Sequence, residues 1–210
     1  MGLRAVVFDY GMVLTGPPDQ DAHAALVLMS GLPLDRFESL YWADRHAYDE
    51  GALNGVTFWQ KIAGAAGFAL SPEKVAELNH WDARMWGTVN PGMVAWQQAL
   101  HERGLLTGIL SNMGDAVHEA LSQAHDWIQR FDVRVWSYQL HMAKPDPAIY
   151  LHLLKQLGTR PEETLFIDDK LINIEVAWSL GMKAIEFSTV DRLRADLVAA
   201  GLDAELPLPV

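Results

Sequence analysis

Short aliphatic runs alternate along this chain with longer stretches in which apolar positions recur at helical spacing. Five runs read as strands, Ala5–Phe8, 107–110, 134–136, 165–167 and 183–187, with helical patterns between them. Such alternation predicts a parallel sheet covered by helices on both faces, a doubly wound, Rossmann-like α/β core. The first four runs end at polar residues, Asp9, Ser111, Ser137 and Asp168. In open α/β sheets ligands gather beyond the carboxyl ends of the strands, so the chemistry is expected there.

Roughly a hundred residues separate the first run from the second, far more than the helix and short loops of an ordinary crossover. The stretch from Asp19 to Trp86 reads helical throughout. It is broken at Gly31-Leu32-Pro33, Gly51, Gly55, Gly67 and Ser71-Pro72, which mark several short helices. The chain therefore divides into an α/β core, 1–15 and 89–210, and an inserted α-helical cap subdomain, 16–88, placed over the strand ends. Asn90-Pro91-Gly92 reads as the turn back into the core, ahead of a helix over 93–103 stopped at Gly104. Ser188 to Asp191 suggests a capping box for a helix over 193–200, and the tail 206–210 is expected to fray. No internal repeat is evident.

Composition narrows the partners. Of 210 residues half are hydrophobic and a fifth charged, which is ordinary for a globular protein. A formal net charge of −11 argues against a nucleic-acid partner, because phosphate contacts need an excess of Lys and Arg. With no cysteine there is neither a disulfide framework nor a thiolate zinc site. No apolar run reaches the length of a signal peptide core or a membrane span, so a cytoplasmic protein with no membrane partner, monomeric or homodimeric, is expected.

Four segments carry candidate chemistry. Val6-Val7-Phe8-Asp9 delivers a carboxylate at a strand tip, as a metal ligand or a nucleophile, and Gly11 two residues on suits close backbone approach to a ligand or a positive φ. Gly11 could thus offer a carbonyl to magnesium. Gly108-Ile109-Leu110-Ser111-Asn112-Met113 places a hydroxyl and backbone N–H groups where phosphate oxygens could sit, although a serine in this setting is more often a helix cap. In Ala143-Lys144-Pro145-Asp146-Pro147 two prolines hold the approach of Lys144, whose ammonium could neutralise a phosphoryl group. Adjacent carboxylates in Phe166-Ile167-Asp168-Asp169 repel each other, and a divalent cation is the usual remedy.

In this order and spacing the four segments resemble the haloacid dehalogenase superfamily of hydrolases, over essentially the whole chain. The insertion is similar to the helical cap that the family's first subfamily carries between its first and second motifs. Phe8-Asp9-Tyr10-Gly11, the run from Lys144 to Tyr150, and Asp168-Asp169 with Asn173 look closest to the branch holding sugar-phosphate phosphatases and the phosphatase domain of soluble epoxide hydrolase. The resemblance implies a magnesium-dependent phosphatase acting on a small phosphorylated metabolite, a sugar phosphate being one candidate. It also implies roles. Asp9 would be the nucleophile and form an aspartyl-phosphate; Ser111, Asn112 and Lys144 would hold the phosphoryl group, with Lys144 also orienting Asp9. Asp9, the Gly11 carbonyl and Asp169 would ligate Mg2+, with Asp168 direct or through water, and Asn173 would support them.

Gly11 departs from the family pattern, which usually has an Asp there as general acid and base, a role worth about 10² to 10⁴ in rate. Asp19, Asp21 or a cap residue could supply the proton, and the sequence selects none. Two other readings stay open: a metal-independent dehalogenase, disfavoured by the Asp168-Asp169 pair, and a catalytically impaired metal-binding or interaction protein. The cap aromatics Tyr41, Trp42, Tyr48, Phe58, Trp59, Trp81 and Trp86 could line a pocket but more often form core.

Overall fold

The computed structural model describes residues 2–208. Strands β1 (Ala5–Phe8), β2 (Leu106–Ser111), β3 (Val133–Trp136), β4 (Thr164–Asp168) and β5 (Lys183–Glu186) form one parallel sheet in the order β3-β2-β1-β4-β5. β1 lies at the centre, with Phe8 in register with Ile109 on one side and Ile167 on the other. Successive strand residues point to opposite faces, and all four residues of β1 are fully buried. Val6 and Phe8 enter one apolar cluster while Ala5 and Val7 enter another, so the sheet is covered on both sides. Burial of each Val or Phe contributes about 1.5 to 3 kcal/mol, which explains why this short strand can hold the centre.

The cap comprises α1 (Gln20–Ser30), α2 (Leu34–Ala43), α3 (Arg45–Asp49), α4 (Gly55–Ala66) and α5 (Pro72–Met85). The core helices are α6 (Pro91–Glu102), α7 (Asp115–Ala124), α8 (Ser137–Leu140), α9 (Pro147–Leu157), α10 (Leu171–Ser179) and α11 (Val190–Ala199). α9 and α10 cover one sheet face through Ile149, Tyr150, Leu153, Ile174 and Ala177. On the other face α6, α7 and α11 share a single apolar cluster with the cap. The segments that leave and re-enter the core lie side by side, bridged at Thr15 and Val89. Gly16 N–H bonds the Thr88 carbonyl at 2.7 Å, and Asn90 N–H the Leu14 carbonyl at 2.9 Å.

Cap and core touch closely at α7. The Gly55 N–H donates to Asp115 Oδ1 at 2.8 Å, and a Cβ at Gly114 would fall 2.2 Å from the Tyr48 ring, so only glycine permits that approach. Tyr48 in turn stacks on Phe58 with centroids 4.6 Å apart. Tyr41, Tyr48, Phe58 and Trp59 are fully buried and form the cap's core, Trp81 is half-buried, and Trp42 and Trp86 face a cavity.

Three local expectations change. The last helix begins at Val190, because Thr189 and not Ser188 caps it, its hydroxyl accepting the Arg192 N–H at 3.1 Å. The tail does not fray through its described part: Leu206 and Leu208 are buried in the cluster that holds Leu197, since apolar area gained there outweighs the freedom of the chain end. Pro209 and Val210 lie outside the described residues. The third concerns Gly11 and belongs to the site. Among the described residues no helix is long and apolar enough to cross a membrane.

Candidate active site

The carboxyl ends of β1, β2 and β4 meet the cap around a cavity of about 680 Å³. This is the switch point of the sheet, where neighbouring connections depart in opposite directions and leave a crevice. Asp9 follows β1, anchored by its N–H to the Ile167 carbonyl at 2.8 Å. Its Oδ1 accepts both the Tyr10 N–H at 2.7 Å and the Lys144 ammonium at 2.9 Å, while its Oδ2 takes no donor among the described residues. One carboxylate oxygen is thus fixed and the other left for chemistry.

Beyond Asp9 the chain turns tightly through Tyr10–Leu14. Of the two roles open to Gly11, a positive φ is not the one taken: it falls on Met12, at 62°, while Gly11 sits at φ −64° and ψ 139°, open to any residue. A Cβ at Gly11 would meet nothing within 4 Å. Neither torsion nor space demands glycine. Gly11→Ala should therefore fold normally and gain about 0.4 to 1 kcal/mol from a stiffer unfolded chain, measured by urea denaturation; a clear loss would show that this turn is more crowded than it looks.

Lys144, almost fully buried, bridges Asp9 and Asp168, reaching Asp168 Oδ2 at 2.6 Å. Burial works against its charge, but Asp168 and Asp9 outweigh it and raise its pKa. The loop carrying Lys144 is clamped by Asn112, whose Nδ2 donates to the Lys144 carbonyl and whose Oδ1 accepts the Lys144 N–H, both at 2.8 Å. The Asn112 side chain thus positions Lys144, and its backbone stays placed beyond β2, where phosphate oxygens were expected. Ser111 ends β2, buried, with its hydroxyl unbonded by other described residues; the cap of α7 is Gly114, so Ser111 is not a helix cap.

Asp168 is fully engaged: Oδ1 accepts Asn173 Nδ2 at 2.9 Å and the Lys170 N–H at 2.8 Å, and Oδ2 accepts Lys144. Burial opposes ionisation, yet these donors, led by Lys144, hold its pKa below the usual value. Asp169 is half-buried with no side-chain donor to its carboxylate among the described residues, and burial together with Asp168 raises its pKa. Burial likewise pushes Asp9 from 3.8 up to about 7, Lys144 opposing and Asp168 adding. Asp9, Asp168 and Asp169 bring carboxylate oxygens within 4.8 Å of one another, and together they fit a hard divalent cation, which takes oxygen ligands and relieves this repulsion.

The cap side of the cavity was not legible residue by residue. Trp42, Trp86, Arg45, His46 and Asp49 line it, with Met12 and Ile172 from the core. Arg45 is buried, bonds Asp49 Oδ1 at 2.8 Å, lies 3.3 Å from Asp82 and contacts the Tyr41 hydroxyl. Arg45 and Asp49 are four residues apart, a spacing that from sequence alone describes any exposed helical ion pair.

A parallel sheet with an aspartate at the tip of its central strand, an ammonium bridging that carboxylate to a second and a third carboxylate beside them is the setting of a hydrolase site. The chain belongs to the haloacid dehalogenase-like hydrolases, whose family model matches residues 3–181. It is similar to mouse bifunctional epoxide hydrolase 2, 29% identical over 229 residues covering all of this chain and 41% of that protein, so it spans less than half of that relative. A sesquiterpene phosphatase of Aspergillus oryzae is 31% identical over 88% of this chain and 90% of its own length. Among solved structures, an enzyme of the same family from Bacteroides thetaiotaomicron, in complex with magnesium and inorganic phosphate, superposes with a TM-score of 0.75 at 21% identity, over 91% of this chain and 99% of that one.

Proposed function

We propose that this protein is a magnesium-dependent phosphatase that hydrolyses a small phosphorylated metabolite through an aspartyl-phosphate on Asp9. The observation that carries this reading is the grouping of Asp9, Asp168 and Asp169 around Lys144 at the strand ends beside the cavity. Asp9 Oδ1 is held by Lys144 and the Tyr10 N–H, which orients the carboxylate; Oδ2 is the oxygen available to attack phosphorus. Ser111 and backbone N–H groups beyond β2 hold phosphoryl oxygens, and Lys144 neutralises charge that grows in the transition state. Asp9, Asp169 and the Gly11 carbonyl would hold Mg2+. Asp168 positions Lys144 and would reach the metal directly or through water. When bound, the ion supplies electrostatic stabilisation of the transferring phosphoryl group.

Trp42, Trp86, Met12 and Ile172 give the substrate's body apolar faces to stack on, beside Arg45 and His46. This suits a ring or hydrocarbon, including the non-polar face of a sugar, and the similar sesquiterpene phosphatase points the same way. The test is phosphate release from a panel of phosphomonoesters with and without magnesium, alongside chloride release from a 2-haloacid. Magnesium-dependent phosphate release is expected; chloride release without phosphate release would sink the reading.

The same carboxylates make metal binding pH-dependent. Asp9 holds a proton in the folded protein up to about pH 7 but loses it near 3.8 when unfolded. Across that window the folded state binds more protons, so its contribution to the stability of the metal-free protein falls as pH rises. Above it the charge is unrelieved and the ligand is ready. Magnesium should therefore raise the melting temperature far more at about pH 8 than at about pH 5.5, read by thermal denaturation, because binding requires deprotonated carboxylates. An equal shift at both would contradict the assignment.

A further inference from the structure

The phosphatase reading leaves the leaving oxygen without a proton, because Gly11 has no side chain to give one. The carboxylates nearest in sequence do not serve. Asp19 caps α1, accepting the Ala22 N–H at 2.9 Å, and neither it nor the exposed Asp21 lines the cavity. Among the described residues the carboxyl groups that do line it are Asp9, Asp169 and Asp49. The first two belong to the acidic cluster.

We propose that Asp49, presented by the cap helix α3, is the catalytic acid and base that replaces the carboxylate missing at position 11, an assignment that rests on the phosphatase reading. Its Oδ1 is fixed by Arg45 Nε at 2.8 Å, and its Oδ2 takes no donor among the described residues, so one oxygen is held while the other is left for a substrate. Its backbone carbonyl accepts the Ser137 hydroxyl of α8, which ties the end of α3 to the core. Burial raises its pKa from 3.8 to about 6 against the pull of Arg45, helped by Asp82 on α5 and opposed by Lys170 at the strand ends. Elsewhere around α3, Tyr41 of α2 bonds Asp82 at 2.7 Å, Lys61 of α4 is taken by Asp44, and the Tyr138 hydroxyl of α8 is taken by His118. A carboxyl poised near the working pH is an effective proton donor. His46, the other titratable cap residue at the cavity, is largely exposed and faces Glu50 at 3.6 Å.

In the first half-reaction an Asp9 oxygen bonds phosphorus, the phosphorus–ester oxygen bond breaks, and that oxygen takes the Asp49 proton and leaves as an alcohol. In the second, water attacks the aspartyl-phosphate, its proton passes to the Asp49 carboxylate, and phosphate leaves with Asp9 restored. Both carboxyl groups end as they began.

The test compares Asp49→Asn with the wild type on p-nitrophenyl phosphate, whose phenolate leaves unaided, and on an alkyl phosphate, whose alkoxide needs a proton, both with magnesium. Asn keeps an acceptor for Arg45, and thermal denaturation verifies the fold. The expected result is a fall of about 10²-fold or more in kcat on the alkyl ester with KM little changed, and a fall of only a few fold on the aryl ester. At saturating magnesium, which holds Asp9 ionised, the decline of wild-type kcat on the alkyl ester as Asp49 loses its proton should vanish in the variant. Equal losses on both esters, or none on the alkyl ester, overturn the role of Asp49 while leaving the phosphatase intact. Failure of the wild type on both esters overturns the phosphatase reading itself.

Discussion

Asp9→Asn should abolish turnover, by at least about 10³-fold in kcat on any phosphomonoester, while leaving the protein folded. The amide cannot attack phosphorus, and no other carboxylate stands at the end of β1. Its oxygen can still accept the Lys144 ammonium and the Tyr10 N–H, so the local hydrogen bonds survive. The substitution also removes one of three crowded carboxylates whose burial resists ionisation. The metal-free variant should therefore melt no lower than the wild type at neutral pH, and its response to magnesium should shrink because a ligand has gone. Phosphate-release kinetics and thermal denaturation read both outcomes. Residual turnover near the wild-type rate would mean that another group is the nucleophile.

Lys144→Met should damage stability as well as activity. The ammonium compensates Asp9 at 2.9 Å and Asp168 at 2.6 Å, and the side chain is almost wholly buried. Removing one partner of a buried ion pair leaves charge uncompensated, at a cost of about 3 to 5 kcal/mol. The sign with pH follows. With Lys144 gone, Asp168 loses the donor that chiefly keeps its pKa low, and Asp9 loses the group opposing its upward shift, so both carboxyls take up protons more readily in the folded state. The deficit should be largest above neutral pH and shrink as the solution is acidified. Urea denaturation across that range measures it. Activity should drop by about 10² to 10³, the usual loss when a donor to developing charge is removed. A variant as stable as the wild type at high pH would show that Asp168 and Asp9 find other partners.

The β1 end and its three companion segments could be read from sequence because each couples a buried strand or a proline-braced turn to a polar residue at its tip. Strand ends converge by topology, which brings Asp9, Ser111, Asp168 and Asp169 together, whereas Lys144, in the loop before α9, was joined to them through the family resemblance. Asn173 was likewise legible, and it bonds Asp168 at 2.9 Å. What escaped depends on packing between elements distant in the chain. The clamp of the Asn112 amide on Lys144 could not be read from the sequence, and Asp49 looks like an ordinary helical acid until α3 is docked against the core. Met12 takes the positive φ that glycine would be expected to take, a preference overridden by the turn that buries Val13 and Leu14. The capping hydroxyl moved by one residue, from Ser188 to Thr189, which a pattern of short polar side chains does not resolve.

The bridge between Thr15 and Val89 makes the insertion a side branch of the sheet. Because its two ends emerge within hydrogen-bonding distance, the chain between them can lengthen, shorten or be exchanged without moving a strand or any residue of the acidic cluster. What restrains such exchange is the apolar cluster the insertion shares with α6, α7 and α11, together with the Tyr48 ring seated on Gly114. An exchanged insertion must accordingly bring an aromatic to cover that glycine and, on the role proposed for Asp49, a carboxyl group to replace it.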